Sequence, residues 1–242
     1  MKIHFISDLH LCEEEPATLR AFIDYLAGPA RTANTLYILG DLFEYWAGDD
    51  DDTPLIRQVS DALSALAASG TALRFMAGNR DFLIGQHFAS RCAMRLLPDP
   101  SRLVVDGRQV LLTHGDALCT DDTDYLQYRS QVRDPEWQSA FLARPLAERK
   151  AFIESLRTRS REANARKRPE IMDVNQDAVA QLLRTNDYPV LIHGHTHRPA
   201  RHEHLVDGRT CERWVLADWR GQAHYLEWAS GSGTARTLAP PA

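Results

Sequence analysis

Short apolar runs recur along this chain, and five of them end in a polar cluster. Ile3–Ser7 leads into Asp8-Leu9-His10, Leu36–Leu39 into Gly40-Asp41, and Leu73–Ala77 into Gly78-Asn79-Arg80-Asp81. Val110–Thr113 leads into His114-Gly115, and Val190–Ile192 into Gly194-His195-Thr196-His197. Runs this short, rich in Ile, Val, Leu and Phe, predict buried strands. Between them the spacing becomes helical: Leu19, Phe22, Ile23 and Leu26 recur every three or four residues, as do Leu55, Val59, Leu63 and Leu66. Strand alternating with helix predicts an α/β layered fold. Ligands in such folds collect at the carboxyl ends of strands, where the five clusters lie.

Two strand pairs are expected further along. Leu103–Val105 and Gln109–Leu112 flank a turn at Asp106-Gly107 and read as a hairpin. Trp214–Ala217 and Ala223–Trp228 read as a second pair around Arg220-Gly221. Residues 120–185 carry no strand-like run; Tyr125, Tyr128 and Val132 form one apolar stripe, and Phe152, Ile153 and Leu156 another. The expected organisation is therefore a core of residues 1–119 and 186–230, a helical insert or lid at 120–185 packed over the rim, and a loose small-residue, Pro-rich tail at 231–242.

With 242 residues, 44% hydrophobic and 25% charged, the chain has the make-up of a globular protein with one sizeable core. A formal net charge of −5 gives no basic field for nucleic acid. Cys12, Cys92, Cys119 and Cys211 are scattered, form no CxxC pair, and read as reduced thiols of a cytoplasmic protein. Strand-like residues begin at Ile3, leaving no room for a signal-peptide core. No apolar run reaches the roughly 18 residues that span a bilayer, so membrane contact is expected to be peripheral.

The polar clusters are rich in metal-binding chemistry. Two divalent cations about 3.5–4 Å apart can activate a water and neutralise a phosphoryl group under attack. Such a pair needs a bridging carboxylate, for which Asp41 is the natural candidate, and neutral N and O ligands on both sides. Asp8 and His10, two apart on an extended segment, can turn toward one metal; Asn79 offers an amide oxygen; His114, His195 and His197 complete the shells. This N/O mixture suits Mn²⁺ better than a structural zinc, which prefers Cys-rich shells. A lone histidine on a strand is usually structural, and His4, His87, His202, His204 and His224 keep that reading. The seven ligand candidates differ because they occur jointly, each at a strand end.

The series D-x-H, G-D, G-N-x-D, H-G and G-H-x-H, spanning residues 3–197, resembles the calcineurin-like metallophosphoesterase superfamily. The resemblance implies a β sandwich flanked by helices. It implies one metal on Asp8, His10, Asp41 and His197 and the other on Asp41, Asn79, His114 and His195. Most members have His after the Gly-Asn pair, and that His helps the leaving group. Here Arg80 stands there; it cannot donate a proton at neutral pH but can clamp a phosphate bidentately, which suits a leaving group that is already good, such as one phosphate of a diphosphate. Catalytic roles therefore fall to Asp41, Asn79, Arg80, His114 and His195. Glu44, in Leu42-Phe43-Glu44-Tyr45-Trp46, reads equally as a group behind the ligands or as a surface residue.

Ser7-Asp8-Leu9-His10-Leu11, Gly40 to Trp46, and Gly78-Asn79-Arg80-Asp81-Phe82-Leu83 narrow the resemblance to the bacterial UDP-2,3-diacylglucosamine pyrophosphohydrolases of lipid A biosynthesis, over nearly the whole chain. This implies hydrolysis of UDP-2,3-diacylglucosamine to UMP and 2,3-diacylglucosamine 1-phosphate (lipid X). It also implies two Mn²⁺, water attack on the α-phosphorus, and a peripheral place on the cytoplasmic side of the cell inner membrane. Asn79, Arg80, Asp122, Ser160, Asn164, Lys167 and His195 match substrate contacts of that family.

The insert can also be read by itself. Arg157, Ser160, Asn164 and Lys167 fall within roughly 80° of one another at about 100° per helical residue, and 157–168 carries six basic residues against Glu162. An ordinary solvated face has the same look; beside the metal motifs the ligand-facing reading is favoured, with Arg157 in the substrate set. Trp137, Phe141, Leu142, Phe152, Ile153 and Leu156 read either as packing against the core or as an acyl-chain groove resting on the bilayer. A monomer is expected. The alternatives are another calcineurin-like phosphoesterase acting on nucleotide diphosphates, and a metal-free interaction scaffold, against which the complete ligand set argues.

Overall fold

The structure, a computed structural model, describes residues 1–164, 171 and 173–238, with only the backbone for 160–164. Four strands, β1 (Ile3–Ile6), β2 (Thr35–Leu39), β3 (Ala72–Met76) and β4 (Met94–Leu97), lie parallel in that order. Parallel neighbours need crossover connections, supplied by helices α1 (Pro16–Ala27), α2 (Pro54–Ala68) and α3 (Gln86–Arg91). The start of α2 is set locally: Pro54 occupies its first turn and Thr53 Oγ1 accepts from the Ile56 N–H at 3.3 Å.

A second sheet has the order β5-β6-β7-β9-β8. Its strands are β5 (Ser101–Val105), β6 (Arg108–Leu112), β7 (Val190–His193), β8 (Ala200–Val206) and β9 (Arg209–Val215). The hairpin expected at Asp106-Gly107 is β5–β6. The second expected pair does not form. Trp214 belongs to β9 in this sheet, whereas β10 (Ala223–Ala229) crosses to the first sheet, antiparallel to β1. Its hairpin partner is β11 (Ser232–Leu238), matched to it from Ala223↔Leu238 to Ala229↔Ser232. Residues 232–238 are thus an edge strand and not a loose tail; a backbone ladder holds them, although their side chains are mostly exposed.

Strand pleating assigns the faces. Ile3 and Phe5 of β1 point between the sheets, into a cluster with Leu39, Met76, Val110, Ile192 and Trp228. Ile6 points the other way, among Phe22, Tyr25, Ile38 and Phe75 beneath α1 and α2. β1 is buried on both faces, which is why it reads as a near-continuous apolar run. Full burial of each large apolar side chain contributes roughly 1.5–3 kcal/mol, so the sandwich interior fixes the strand ends that carry the polar clusters.

The residue 120–185 region divides in two. Helices α4 (Thr123–Val132), α5 (Pro135–Leu142) and α6 (Leu146–Asn164) stand over the strand ends; Trp137, Phe141, Phe152 and Ile153 join the cluster under α1 and α2. Helix α7 (Gln176–Thr185) packs elsewhere: Val179 and Leu183 sit with Leu111 and Leu191 on the outer face of the second sheet. It belongs with the core layers, because its apolar stripe meets the sheet and not the rim. Among the described residues no helix is long and apolar enough to cross a membrane.

Candidate metal centre and the cavity above it

All seven ligand candidates meet at one rim. Asp8 and His10 follow β1, Asp41 follows β2, and Asn79 follows β3; His114 follows β6, and His195 and His197 follow β7. Asp8, His10, Asp41, His195 and His197 all have positive φ, between 51° and 69°. That conformation strains side chains with a Cβ, and it turns successive residues of each loop inward. Two glycines allow the loops to close: a Cβ on Gly78 would overlap Asp41 Oδ1, and one on Gly194 would overlap Asp8 Oδ2.

Asp41 lies between two sets of ligands. Its Oδ2 is 3.8 Å from His10 Nε2, and its Oδ1 is 3.7 Å from His114 Nε2. On one side His10 Nε2 stands 3.2 Å from His197 Nε2, which is 3.5 Å from Asp8 Oδ1. On the other, Asn79 Oδ1 is 2.9 Å from both His114 Nε2 and His195 Nδ1. Ligand atoms of Asp8, His10 and His197 lie within 4.8 Å of one another, and so do those of Asp8, Asp41 and His114.

The donor set fits cations. His114 gives its Nδ1–H to the Leu39 carbonyl at 2.8 Å, which turns the Nε2 lone pair toward the oxygens of Asn79 and Asp41. His10 likewise donates Nδ1–H to Glu44 Oε2 at 3.0 Å, turning Nε2 toward His197 and Asp41. Lone pairs converge there with few hydrogens between them, and a positive charge resolves that repulsion. The titration behaviour agrees. Burial depresses His114, but the charges of Asp41, Asp116 and Asp8 outweigh it and hold the ring up at about 9. Burial and the His114 charge bring His195 down to about 4. Burial opposes ionisation of Asp8, yet hydrogen bonding from His197 and the charges of His114, His197 and His10 pull it well below the usual carboxylate range.

Several residues unassigned by sequence reasoning hold this arrangement. Asp81, fully buried, accepts from the N–H groups of Leu42 at 2.7 Å and Gly78 at 2.8 Å, stitching the β2 and β3 loops together. Burial and the adjacent Asp41 charge raise it to about 6. The Asp8 carboxylate accepts from Ser7 Oγ and from the His195 N–H. Asp116, buried behind His114, accepts from Tyr125 O–H at 2.6 Å and Arg129 Nε at 2.8 Å. This anchors α4 and lays the Tyr125 ring over His195, with centroids 6.1 Å apart. Arg133 donates to the Gly78 carbonyl at 2.8 Å. For Asp81 and Asp116 the sequence signal is an acidic residue two places after a ligand candidate.

A cavity of about 560 Å³ opens above the centre. His10, Asp41, Asn79, Arg80, His195 and His197 line its floor; Phe82, Tyr128, Trp137, Phe141, Phe152 and Leu156 line its apolar upper part. Arg80 lies over the rim, and its N–H donates to Asp41 Oδ1 at 2.9 Å. Asp122 lines the cavity and caps α4 by accepting from the Tyr125 N–H. Arg157 also lines it, with its guanidinium on Glu44 and Glu154. Ser160 and Asn164 fall on α6 with side chains outside the described residues, and Lys167 lies outside them altogether. Glu44 is half-buried beside His10, which decides between its two sequence readings.

A family model described as calcineurin-like phosphoesterase matches residues 1–199. The chain is 63% identical over 233 residues, 96% of its length and 95% of the relative's, to a UDP-2,3-diacylglucosamine hydrolase from Aromatoleum aromaticum. It is 51% identical to a UDP-2,3-diacylglucosamine hydrolase from Escherichia coli, covering 92% of this chain and 93% of that one. Among solved structures, one from work on a novel archaeal phosphodiesterase aligns over 98% of this chain and 100% of its own, with a TM-score of 0.48 and 14% identity.

Proposed function

The chain belongs to the calcineurin-like phosphoesterase family, and from that membership we propose that it hydrolyses the diphosphate bond of UDP-2,3-diacylglucosamine, releasing UMP and 2,3-diacylglucosamine 1-phosphate. The substrate is taken from the curated relatives, which match along almost their whole length. The observation that carries the reading is Asp41, with one carboxylate oxygen turned to each of two ligand sets at the floor of a half-apolar cavity.

In this proposal Asp8, His10, Asp41 and His197 hold one divalent cation and Asp41, Asn79, His114 and His195 the other. The N/O donor set suits Mn²⁺. The cations supply activation of a water and neutralisation of phosphoryl charge. The protein's own groups do the positioning. Arg80 clamps phosphate oxygens with its planar guanidinium, and its backbone N–H steadies Asp41. His114 and His195, each fixed by a second contact, keep Asn79 aimed inward. Asp122 takes a sugar hydroxyl or amide; Arg157, Ser160, Asn164 and Lys167 are the residues proposed to bind the diphosphate and sugar. The apolar upper cavity receives acyl chains, which gives its aromatic lining a use beyond packing. Water attacks the α-phosphorus on the uridine side as the bond from that phosphorus to the bridging oxygen breaks; the sugar phosphate leaves with the bridging oxygen as an anion that needs no proton, and the proton of the attacking water is released to solvent. An acylated substrate resides at a bilayer surface, so a monomer working peripherally at the cytoplasmic face of the inner membrane completes the proposal.

Release of UMP from UDP-2,3-diacylglucosamine, with and without Mn²⁺ and against UDP-N-acetylglucosamine, tests it. Metal-dependent cleavage of the acylated substrate alone is the expected result. Equal cleavage of both would reduce the enzyme to a general nucleotide-sugar diphosphatase, and cleavage of neither would overturn the substrate.

A further inference from the structure

Among the described residues, three charged contacts tie helix α6 to the core rim. Arg149, buried, donates to the Ala47 carbonyl and pairs with Asp50, and Lys150 pairs with Asp51 at 2.8 Å. These two hold the helix to the loop after β2 and touch none of the ligand candidates. The third contact differs. Arg157 Nη2 donates to Glu44 Oε1 at 3.2 Å, while the other oxygen of that carboxylate, Oε2, accepts from His10 Nδ1 at 3.0 Å. One half-buried carboxylate thus joins a helix of the lid to a residue of the metal centre.

The His10 contact has a chemical consequence. An imidazole whose Nδ1–H is committed to a carboxylate presents Nε2 as a lone pair, with the ring orientation fixed and the basicity raised. His10 Nε2 faces Asp41 Oδ2 and His197 Nε2, the direction a cation would occupy. The carboxylate is itself held. Its backbone N–H donates to the Leu11 carbonyl at 3.2 Å, on the segment that carries His10. Arg157, packed 5.3 Å over the Tyr45 ring and paired through its other nitrogen with Glu154, limits where Glu44 can turn. Arg80 Nη1 stands 4.0 Å from the Oε1 atom that Arg157 holds.

We propose that Glu44 is a positioning residue that links the lid to the metal centre, fixing His10 for metal while holding Arg157 of α6. The inference rests on the two-metal reading above. It follows that metal binding and docking of α6 favour one another, and by linkage the two effects are equal in free energy. Bound metal then favours the docked lid, and an undocked lid weakens the site.

The test is a calorimetric titration of Mn²⁺ into metal-stripped full-length protein, with hydrogen exchange of residues 146–159 as a second readout. Glu44→Gln is expected to weaken Mn²⁺ binding about 10–100-fold, the range for a group that orients a metal-ligating histidine. Arg157→Ala is expected to weaken it about threefold, and to add nothing in the Glu44→Gln background, because the pair acts as a unit. Arg157→Lys restores part of the loss. Lys150→Ala, which removes a contact of the helix that does not run through Glu44, is expected to weaken Mn²⁺ binding less than Arg157→Ala does. In wild type, Mn²⁺ slows exchange of 146–159, and in Arg157→Ala it does not. Melting of each metal-free variant identifies one that fails to fold, and the wild-type exchange comparison needs no variant. Unchanged affinity in Arg157→Ala, or strictly additive losses in the double variant, would overturn the link while leaving the metal site standing. Wild-type protein that takes up no Mn²⁺ would instead overturn the two-metal reading.

Discussion

Metal binding should expel a proton from His114, and the structure sets the size of the effect. The ring spends Nδ1–H on the Leu39 carbonyl, and its Nε2 faces only acceptors: Asn79 Oδ1 at 2.9 Å and Asp41 Oδ1 at 3.7 Å. Without a cation, a proton takes that position. Burial works against the charge, but the carboxylates of Asp41, Asp116 and Asp8 hold the ring at about 9. At pH 7 about 99% of empty sites are therefore protonated, and the apparent affinity lies ~100-fold below its value at high pH. It should rise close to tenfold per pH unit between 7 and 8. The same shift fixes the stability of the metal-free protein. The folded-state value is raised above the ordinary 6.5, so the charged ring stabilises the fold fully below pH 6.5, and that contribution disappears as pH rises through about 9. Its full size is about 3 kcal/mol at 1.36 kcal/mol per unit. Calorimetric Mn²⁺ titration at pH 6.5–8.5, in buffers of different ionisation enthalpy, counts the protons released, and denaturant melts of the stripped protein follow stability. Binding that releases no proton at pH 7, with an affinity flat across that range, would refute the reasoning.

Other consequences are quickly checked. Asp41→Ala removes the carboxylate whose two oxygens face the two ligand sets, so kcat should fall about 10³-fold or more with loss of bound metal; near-normal turnover with metal retained would remove Asp41 from the bridging position. Arg80→Ala should lower kcat/KM about 100-fold, and Arg80→Lys should recover only part of it, because an ammonium cannot make the two-point contact. Tyr125→Phe deprives buried Asp116 of a 2.6 Å donor; about 1–2 kcal/mol of stability should go, read as a melting temperature lower by about 3–6 °C. Removing metal with a chelator should lower the melting temperature, since cation at 100 times its dissociation constant contributes about 2.7 kcal/mol to the folded state; identical melts would mean that nothing is bound.

What the sequence made legible, and what it hid, follows from the range of each interaction. The ligand candidates could be read because each is a local event: an apolar strand ends, and a His, Asp or Asn follows within four residues. Of the strands that carry them, β1 and β7 are buried at every position and β2, β3 and β6 at their last two, so apolar composition marks them. β11 is the opposite case. Its sequence, Ser-Gly-Thr-Ala-Arg-Thr-Leu, is mostly exposed, and backbone pairing with β10 holds it in place; backbone hydrogen bonds leave little trace in side-chain pattern. The sheet change between β9 and β10 was hidden for a related reason: both segments are apolar enough to pair with each other, and the choice is made by β1, more than 200 residues earlier in the chain, which accepts β10 along its free edge. The residues that steady the centre show the same division. Glu44 could be read two ways because its partners, His10 and Arg157, stand 34 and 113 residues away in sequence. Only the fold brings them to one carboxylate, and that convergence sets a surface-looking glutamate between α6 and His10.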